Sequence, residues 1–186
     1  MKKACFLDRD GVLIEEVDYI KSPEQVKIIP GVFDALKTLR EKGYLCIVIS
    51  NQSGVARGYF KEEDVIRIQE KIDVFLTEKG LKIDGYYNCP HHPEGTVPEY
   101  RKNCDCRKPR PGLLLKAAKE HSIDLSKSFM IGDKLSDMKA AENAGCRVGI
   151  MVRTGHGEEQ ISSQDTKNIT VVADIGEAVD YYFRNF

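Results

Sequence analysis

The chain has 186 residues, and its 28 basic and 29 acidic side chains give a formal net charge of -1. This balance predicts neither a nucleic-acid-binding surface nor a membrane-binding one. The length suits one domain, which we expect to span residues 1–186. The first residues, MKKACFLDRD, hold too few apolar side chains for a signal peptide or a membrane span. We therefore expect a cytoplasmic protein that acts as a monomer on a small molecule.

Short apolar runs alternate with helical patterns along the chain. In chain order, the patterns predict a strand over 4–8, a helix over 31–42, a strand over 44–50, a helix over 62–79, a strand over 84–88, a helix over 111–121, a strand over 128–132, a helix over 134–144, a strand over 147–152 and a helix over 176–184. Such alternation is typical of an α/β fold, with a Rossmann-like, doubly wound, mostly parallel sheet covered on both faces. The polar residues 154–168 are expected to form a long mobile loop.

Polar residues follow the predicted strands at the points where those strands end. Asp8 and Asp10 end the first strand, Ser50 ends the second, and Asp133 follows the strand over 128–132. The carboxyl ends of parallel strands share one edge of a sheet, so these side chains should converge. Carboxylates gathered in this way repel each other unless a hard cation such as Mg²⁺ lies among them. Side chains alternate along a strand, so the chain must turn at Gly11 for both aspartates to face one ion.

The same edge offers hydrogen-bond donors and a cation. The Ser50 hydroxyl, the main-chain N–H groups of Asn51 and Gln52, and the Lys108 ammonium would surround the oxygens of a phosphoryl group. A carboxylate that faces the phosphorus can attack it and form an aspartyl phosphate. Taken singly, these residues would be read as solvated strand ends or helix caps. Their combination favours phosphate chemistry, in which one aspartate attacks and its neighbour transfers protons.

Residues 88–109 form a polar segment with a C-x-H pair, Cys89 and His91, and a C-x-C pair, Cys104 and Cys106. Three thiolates and one imidazole suit a four-coordinate structural zinc, which leaves no position open for chemistry. The adjacent His91 and His92 both remain candidates for the imidazole. Cys5, Cys46 and Cys146 lie in or beside apolar runs and are expected to be core residues. His121 and His156, and His92 where His91 is the ligand, are expected to make surface or local hydrogen bonds.

Four short segments resemble the motifs of the haloacid dehalogenase-like phosphatase superfamily: D-R-D-G-V at 8–12, I-S-N-Q at 49–52, R-K-P at 107–109 and G-D-K-L-S-D at 132–137. The resemblance implies that Asp8 is the nucleophile and Asp10 the general acid and base. It also implies that Ser50 and Lys108 grip the phosphoryl group. Asp133 would hold magnesium together with Asp8 and Asp10. The second aspartate is absent from the dehalogenase branch, so the chain is similar to the phosphotransferring branch.

The combination of C-x-H, C-x-C-R-K-P, F-L-D-R-D-G and S-N-Q-S-G-V-A-R-G resembles the D-glycero-D-manno-heptose 1,7-bisphosphate 7-phosphatase family over residues 4–155. This resemblance implies a capless phosphatase with a zinc loop, in which His91 is the histidine ligand. The implied reaction removes the C7 phosphate during synthesis of nucleotide-activated heptose for lipopolysaccharide. The implied substrate contacts come from several segments: Arg9, Glu16, Val17, Asp18, Tyr19, Ser50, Asn51, Gln52, Ser53, Arg107, Lys108 and Lys134.

Three other functions compete with this one. Histidinol phosphatases resemble the chain in their aspartate motifs and zinc ligands, but their zinc loop is typically shorter than the 12 residues, 92–103, that separate the two pairs here. Polynucleotide 3'-phosphatases share the D-x-D-G chemistry, and the balanced charge disfavours them. A zinc-dependent binding module with vestigial carboxylates belongs to a different class, and release of phosphate from small substrates would exclude it.

Overall fold

The computed structural model describes residues 1–163 and 166–186. The strands in this part of the chain are β1 (Lys3–Leu7), β2 (Tyr44–Asn51), β3 (Gly85–Cys89), β4 (Phe129–Gly132), β5 (Val148–Val152) and β6 (Thr170–Val172). The helices are α1 (Val32–Glu41), α2 (Ser53–Ala56), α3 (Glu62–Thr77), α4 (Gly112–His121), α5 (Leu135–Ala144), α6 (Gly157–Ser163) and α7 (Ile175–Asn185). Two short 3₁₀ turns cover Pro23–Gln25 and Leu125–Lys127.

Alternate residues of the central strands face opposite helical layers. In β1, Ala4 and Phe6 belong to the apolar cluster that includes residues of α4 and α5. Cys5 and Leu7 belong to the cluster that includes residues of α1, α3 and α7. All four are completely buried. Because both faces of the sheet are covered, the strands read as continuous apolar runs, which is why the sequence predicts them well.

The six strands form one sheet in the order β3-β2-β1-β4-β5-β6, and each of the five strand pairs is parallel. The predicted Rossmann-like α/β fold is confirmed, and the sheet in the described residues is wholly parallel. β1 lies between β2 and β4, so the strand order reverses beside β1. Ligands of open parallel sheets bind beyond the carboxyl ends at such a reversal. The fold therefore brings the ends of β1, β2 and β4 together.

The three cysteines predicted to lie in the core are located in β1, in β2 and just before β5. Cys5 and Cys46 are completely buried, and Cys146 is half-buried against the cluster that contains α4 and α5.

The prediction of a loop over residues 154–168 is wrong at residues 157–163, because α6 covers Gly157–Ser163. Glu158 and Glu159 lie in the first turn of this helix, where acidic side chains interact favourably with the helix dipole. The segment lacks the apolar periodicity that would have indicated a helix. Residues 164 and 165 of the predicted loop lie outside the described residues.

The helices of residues 1–163 and 166–186 include none that combines the length and the apolar character needed to cross a membrane.

Candidate active site

A cavity of about 300 Å³ lies beyond the carboxyl ends of β1 and β2. Most of the predicted site residues line it: Asp8, Arg9, Asp10, Glu16, Asp18, Tyr19, Asn51, Gln52, Ser53, Lys108 and Lys134. Its lining also includes residues to which the sequence assigned no role: Ile20, Gly54, Phe60, Ser136, Asp137 and His156. Ser50 and Asp133 do not line the cavity, but both are buried and contact residues that do.

The ammonium of Lys108 is buried and enclosed by acceptors. Its Nζ lies 3.1 Å from Asp8 Oδ2 and 2.7 Å from Asp137 Oδ1, and it donates to the Ile49 carbonyl at 2.7 Å. Burial disfavours the charged form, but the carboxylates of Asp137 and Asp8 outweigh it and raise the pKa of Lys108. Lys108 therefore keeps its positive charge beside Asp8 at neutral pH.

Asp8, Asp133 and Asp137 form a buried cluster in which one oxygen from each carboxylate lies within 4.8 Å of the others. Burial, opposed by Lys108, raises the pKa of Asp8 to about 6. Burial and repulsion by Asp8 raise the pKa of Asp133 to about 8. Asp133 Oδ2 accepts the His156 N–H at 2.8 Å, whereas Oδ1 is buried without a hydrogen-bond partner. A divalent cation suits such a cluster, because it neutralises the crowded carboxylates and binds the buried Asp133 oxygen that lacks a hydrogen-bond partner.

Asp137 is the member of this cluster to which the sequence assigned no role. It stands in the G-D-K-L-S-D segment four residues after Asp133, in the first turn of α5. Its Oδ2 accepts the Lys134 N–H at 3.0 Å, which leaves Oδ1 facing Lys108. The residue was visible in the sequence, but its partner on a distant loop was not.

The carboxylate of Asp10 lies outside this cluster. It accepts hydrogen bonds from Arg9 Nε at 3.1 Å, Arg9 Nη2 at 3.0 Å and Gln52 Nε2 at 3.0 Å. Gln52 Nε2 also lies 2.7 Å from Ser50 Oγ, to which it donates. The predicted turn at Gly11 is present, with φ at 80°. That turn directs the Asp10 side chain to Arg9 and Gln52 instead of to the other carboxylates.

Arg9 is completely buried, yet its Nη1 has no hydrogen-bond partner. The residue lines the cavity. A buried N–H of a charged group that stays unpaired costs roughly 1–3 kcal/mol or more. An oxygen acceptor brought within reach of this nitrogen would remove the cost, and the position of Arg9 in the cavity lining keeps it a candidate substrate contact.

Asn51 and Gln52 make hydrogen bonds that connect the end of β2 to neighbouring segments. The main-chain N–H of Gln52 donates to the Cys89 carbonyl at 2.8 Å, so the backbone already occupies the donor predicted for the phosphoryl group. The Asn51 amide donates from Nδ2 to the Lys108 carbonyl at 3.1 Å, and its Oδ1 accepts the Lys108 N–H at 3.0 Å. These two reciprocal bonds hold Lys108 in a fixed place beside the end of β2.

The loop between β5 and α6 reaches the site, although no sequence pattern predicted a role for it there. Thr154 Oγ1 donates to the Gly11 carbonyl at 2.6 Å. Gly155 has φ at 60°, and a Cβ added there would lie 2.4 Å from Asp133 Oδ2 and 2.6 Å from the Gly11 Cα. The loop therefore packs directly against the Asp133 carboxylate and the turn after β1.

His156 is a lining residue of the cavity as well as a local hydrogen-bonding residue. Besides the bond from its N–H to Asp133, its Nε2 lies 3.4 Å from Glu16 Oε2. Lys134 Nζ lies 3.9 Å from the same Glu16 oxygen. The expectation that His156 makes surface or local bonds misses this position, since no sequence pattern connects it to residues so far away in the chain.

Besides Ser50, two predicted substrate contacts do not line this cavity. Val17 lines a neighbouring groove with Glu15 and Pro30. Arg107 lines a separate cavity of about 230 Å³ on the zinc loop, and its Nη1 donates to the His91 carbonyl at 3.4 Å.

The four predicted zinc ligands converge after β3. The Cys106 Sγ lies 3.1 Å from Cys89 Sγ, 3.2 Å from Cys104 Sγ and 3.3 Å from His91 Nδ1. The Cys89 Sγ lies 3.5 Å from Cys104 Sγ and 3.8 Å from His91 Nδ1. Tetrahedral zinc with ordinary bond lengths places such ligand atoms about 3.5–3.8 Å apart. The two distances from Cys89 to Cys104 and His91 match this spacing, and the three distances from Cys106 are shorter, so a small outward shift of the Cys106 thiol would let the four residues hold the ion.

The structure distinguishes the two adjacent histidines. His91 joins the cysteines, whereas the His92 Nε2 lies 3.3 Å from Arg57 Nη2 and its Nδ1 accepts the Glu94 N–H at 3.1 Å.

Comparisons with known proteins agree with this geometry. A family model described as HAD-hydrolase-like matches residues 105–178. The crystal structure of a D,D-heptose 1,7-bisphosphate phosphatase from B. bronchiseptica, complexed with magnesium and phosphate, is similar with a TM-score of 0.87 and 31% identity, and the match covers 99% of both chains.

Two curated relatives are similar over most of the chain. A D-glycero-beta-D-manno-heptose-1,7-bisphosphate 7-phosphatase from Haemophilus influenzae is 47% identical over 155 residues, which are 83% of this chain and 84% of the relative. The protein of the same name from Vibrio cholerae is 43% identical over 181 residues, which are 97% of this chain and 96% of the relative. Because the chain is 47% and 43% identical to these two relatives and the matches cover more than four fifths of every chain, it belongs to the D-glycero-beta-D-manno-heptose-1,7-bisphosphate 7-phosphatase family.

Proposed function

We propose that this chain is a magnesium-dependent phosphatase that removes the C7 phosphate of D-glycero-D-manno-heptose 1,7-bisphosphate through an aspartyl-phosphate intermediate. The observation that carries this proposal is the Asp8 carboxylate at the end of β1, 3.1 Å from a buried ammonium and within a three-carboxylate cluster. The names of the two curated relatives support the heptose bisphosphate as substrate.

Asp8 and Asp133 would hold the magnesium ion. Bound there, the ion would neutralise the crowded carboxylates and the charge of the phosphoryl group. Asp137 is assigned to Lys108, because its Oδ1 lies 2.7 Å from the Lys108 Nζ. The Asp10 carboxylate accepts hydrogen bonds from Arg9 and Gln52, so it is not assigned to the ion.

In the first step, an Asp8 oxygen forms a bond to phosphorus while the bond from phosphorus to the C7 oxygen breaks. The Arg9 N–H, 2.7 Å from Asp8 Oδ1, fixes the orientation of the attacking carboxylate. The ammonium of Lys108 and the hydroxyl of Ser50 stabilise the charge on the phosphoryl oxygens. Asp10 gives its proton to the departing C7 oxygen.

In the second step, water attacks the phosphorus of the aspartyl phosphate and transfers a proton to Asp10, and the bond to Asp8 breaks. Arg9 and Gln52 hold the Asp10 carboxylate in one position for both proton transfers. The products are inorganic phosphate and a heptose that keeps its C1 phosphate.

A structural zinc ion at Cys89, His91, Cys104 and Cys106 completes the proposal. Cys106 directly precedes Arg107 and Lys108, so the ion would order the backbone that carries the buried ammonium. Lys134, Glu16, Asp18 and Tyr19 line the cavity and remain the proposed contacts for the rest of the substrate.

We also propose that the chain works as a single domain and as a monomer, in the cytoplasmic synthesis of nucleotide-activated heptose for lipopolysaccharide. The cavity is lined mainly by polar and charged residues, which suits a sugar phosphate. Sedimentation velocity tests the monomer directly.

A substrate panel tests the proposed function. The panel contains both C1 anomers of the heptose bisphosphate and histidinol phosphate, each with Mg²⁺ or with EDTA. We expect kcat/KM for one heptose anomer to exceed that for histidinol phosphate by at least about tenfold, and EDTA to abolish turnover until Mg²⁺ is restored. A preference for histidinol phosphate would replace the proposed substrate, and recovery with zinc but not with magnesium would reverse the two metal assignments.

A further inference from the structure

Two exposed tyrosines meet beside the cavity. Tyr19 lines the cavity and is 39% exposed, and Tyr59 is 49% exposed. Their ring centroids lie 4.7 Å apart with the planes at 79°, so the rings are edge to face. Exposed aromatic rings beside a binding cavity offer a flat apolar surface, which suits the C–H groups of a sugar chain.

The backbone that carries Tyr19 is strained. Asp18 has φ at 41° and Tyr19 has φ at 66°, so two consecutive residues other than glycine lie in the left-handed region. A bulky residue in this region is uncommon and persists only where the surrounding structure holds it. The Tyr19 ring makes an edge-to-face contact with the Tyr59 ring, which restrains it.

Tyr59 stands on a firmly held turn. Its N–H donates to the Gly54 carbonyl at 2.9 Å, and Gly58 adopts φ at 72° to allow the turn. The Phe60 ring packs so closely on Gly54 that a Cβ there would lie 2.3 Å from the ring. The ammonium of Lys21 lies 5.8 Å from the Tyr59 ring centroid. The turn thus fixes the position of the Tyr59 ring, and the Tyr19 ring packs against that fixed ring.

We propose that Tyr59 is a positioning residue for substrate selectivity, because its ring holds Tyr19 in place to pack against the carbon chain of the phosphorylated sugar. Tyr59 is not among the described residues that line the cavity beyond β1 and β2, so it acts through Tyr19. This inference rests on the proposed function, since it assigns a surface to the sugar of the heptose bisphosphate.

The test compares the sugar bisphosphate with acetyl phosphate, which offers a phosphoryl group but no sugar chain. The measured quantity is the ratio of kcat/KM for the heptose bisphosphate to that for acetyl phosphate. Tyr59→Ala should lower this ratio about tenfold, mainly through a higher KM for the heptose bisphosphate. Tyr59→Phe keeps the ring and should stay within about twofold of the parent. Leu115→Ala, which truncates an exposed side chain of α4, is the matched surface control.

A double-mutant cycle tests whether Tyr59 acts through Tyr19. The double variant Tyr19→Ala and Tyr59→Ala should lose no more selectivity than Tyr19→Ala alone. Additive losses would overturn the indirect role, and an unchanged ratio in Tyr59→Ala would overturn the inference altogether. A parent protein that does not hydrolyse the heptose bisphosphate would contradict the proposed function itself, which separates the two failures.

Discussion

At the scale of single residues, Asp8 combines reactivity with an unfavourable charge. In the absence of metal, burial raises its pKa from the usual 3.8 to about 6. Because the folded-state pKa of Asp8 lies above its ordinary value, the folded protein loses stability as the pH rises from about 3.8 to about 6 and the carboxylate ionises, and this loss persists at higher pH. An amide of the same size removes this penalty and also removes the nucleophile.

Asp8→Asn should therefore lose activity without losing stability. We expect kcat to fall roughly a thousandfold or more, while the melting temperature of the metal-free protein stays equal or rises. Steady-state kinetics and thermal unfolding on the same preparation check both halves. Turnover within about tenfold of the parent would remove Asp8 from the nucleophile role.

The pKa values of the carboxylate cluster predict how magnesium binding depends on pH. In the metal-free protein, protons occupy Asp8 below about pH 6 and Asp133 below about pH 8. Magnesium must displace them, so its affinity should rise as the pH increases from about 6 to 8 and level off above that range. Isothermal titration calorimetry in buffers of different ionisation enthalpy measures both the affinity and the protons released.

Asp133→Asn provides the control for this titration. The variant should bind magnesium more weakly and show a flatter pH dependence, because one titrating ligand is gone. An affinity that does not change between about pH 6 and 8 in the parent would contradict the assignment of these carboxylates to the ion.

The sequence reveals the reactive residues better than their partners. Asp8 and Asp133 follow apolar strands and Ser50 lies at the end of one, so their shared edge was predictable. The hydrogen bonds of Asp10 with Gln52 and of Asn51 with Lys108 span 42 and 57 residues. Such contacts depend on packing between distant segments, and no local pattern indicates them.

At the scale of secondary-structure elements, the loop between β5 and α6 packs against Asp133. Gly155→Ala would place a methyl group 2.4 Å from Asp133 Oδ2. We expect weaker magnesium binding and a loss of activity of about tenfold or more, because Asp133 must move. Calorimetry and kinetics measure the two effects.

Gly145→Ala is the matched control for that substitution. Gly145 ends α5 with φ at 82°, and a Cβ there would meet nothing within 4 Å. The control should lower stability by about 1 kcal/mol through backbone strain, with magnesium affinity unchanged. Equal effects of the two substitutions on magnesium binding would show that the loop does not position Asp133.

The zinc loop is predicted to order the backbone of Lys108. Cys104→Ser should lose zinc, leave the parallel sheet folded, and lower activity by loosening the segment that carries Lys108. Cys146→Ser, which changes a thiol outside the zinc site, is the control. Elemental analysis, circular dichroism and kinetics are measured on both variants. Retained zinc in Cys104→Ser, or lost zinc with unchanged kinetics, would break the proposed coupling.

Helix α6 shows where element prediction fails. Its sequence, G-E-E-Q-I-S-S, has a single large apolar residue, so it lacks a recognisable apolar face. Its position relies on tertiary contacts such as the hydrogen bond from the Leu135 N–H to Gln160 Oε1 at 3.2 Å. The loop between β5 and α6 could be assigned to the site only once the position of α6 was known.

At the scale of the whole molecule, strand order turns separate motifs into one site. The sequence predicts the parallel strands from their apolar runs, but not the central place of β1. In the structure Leu7 pairs with Ile131, and the Asp8 N–H donates to the Ile131 carbonyl at 3.0 Å. This register sets Asp8 beside Asp133, which comes one residue after the end of β4.

The most direct test of the account follows phosphorus by ³¹P NMR while the magnesium-loaded protein acts on the heptose bisphosphate. We predict that the C7 phosphate signal is lost, inorganic phosphate appears in equal amount, and the C1 phosphate signal remains, with no change in Asp8→Asn. Loss of the C1 phosphate, or release of phosphate by Asp8→Asn at the parental rate, would contradict the account.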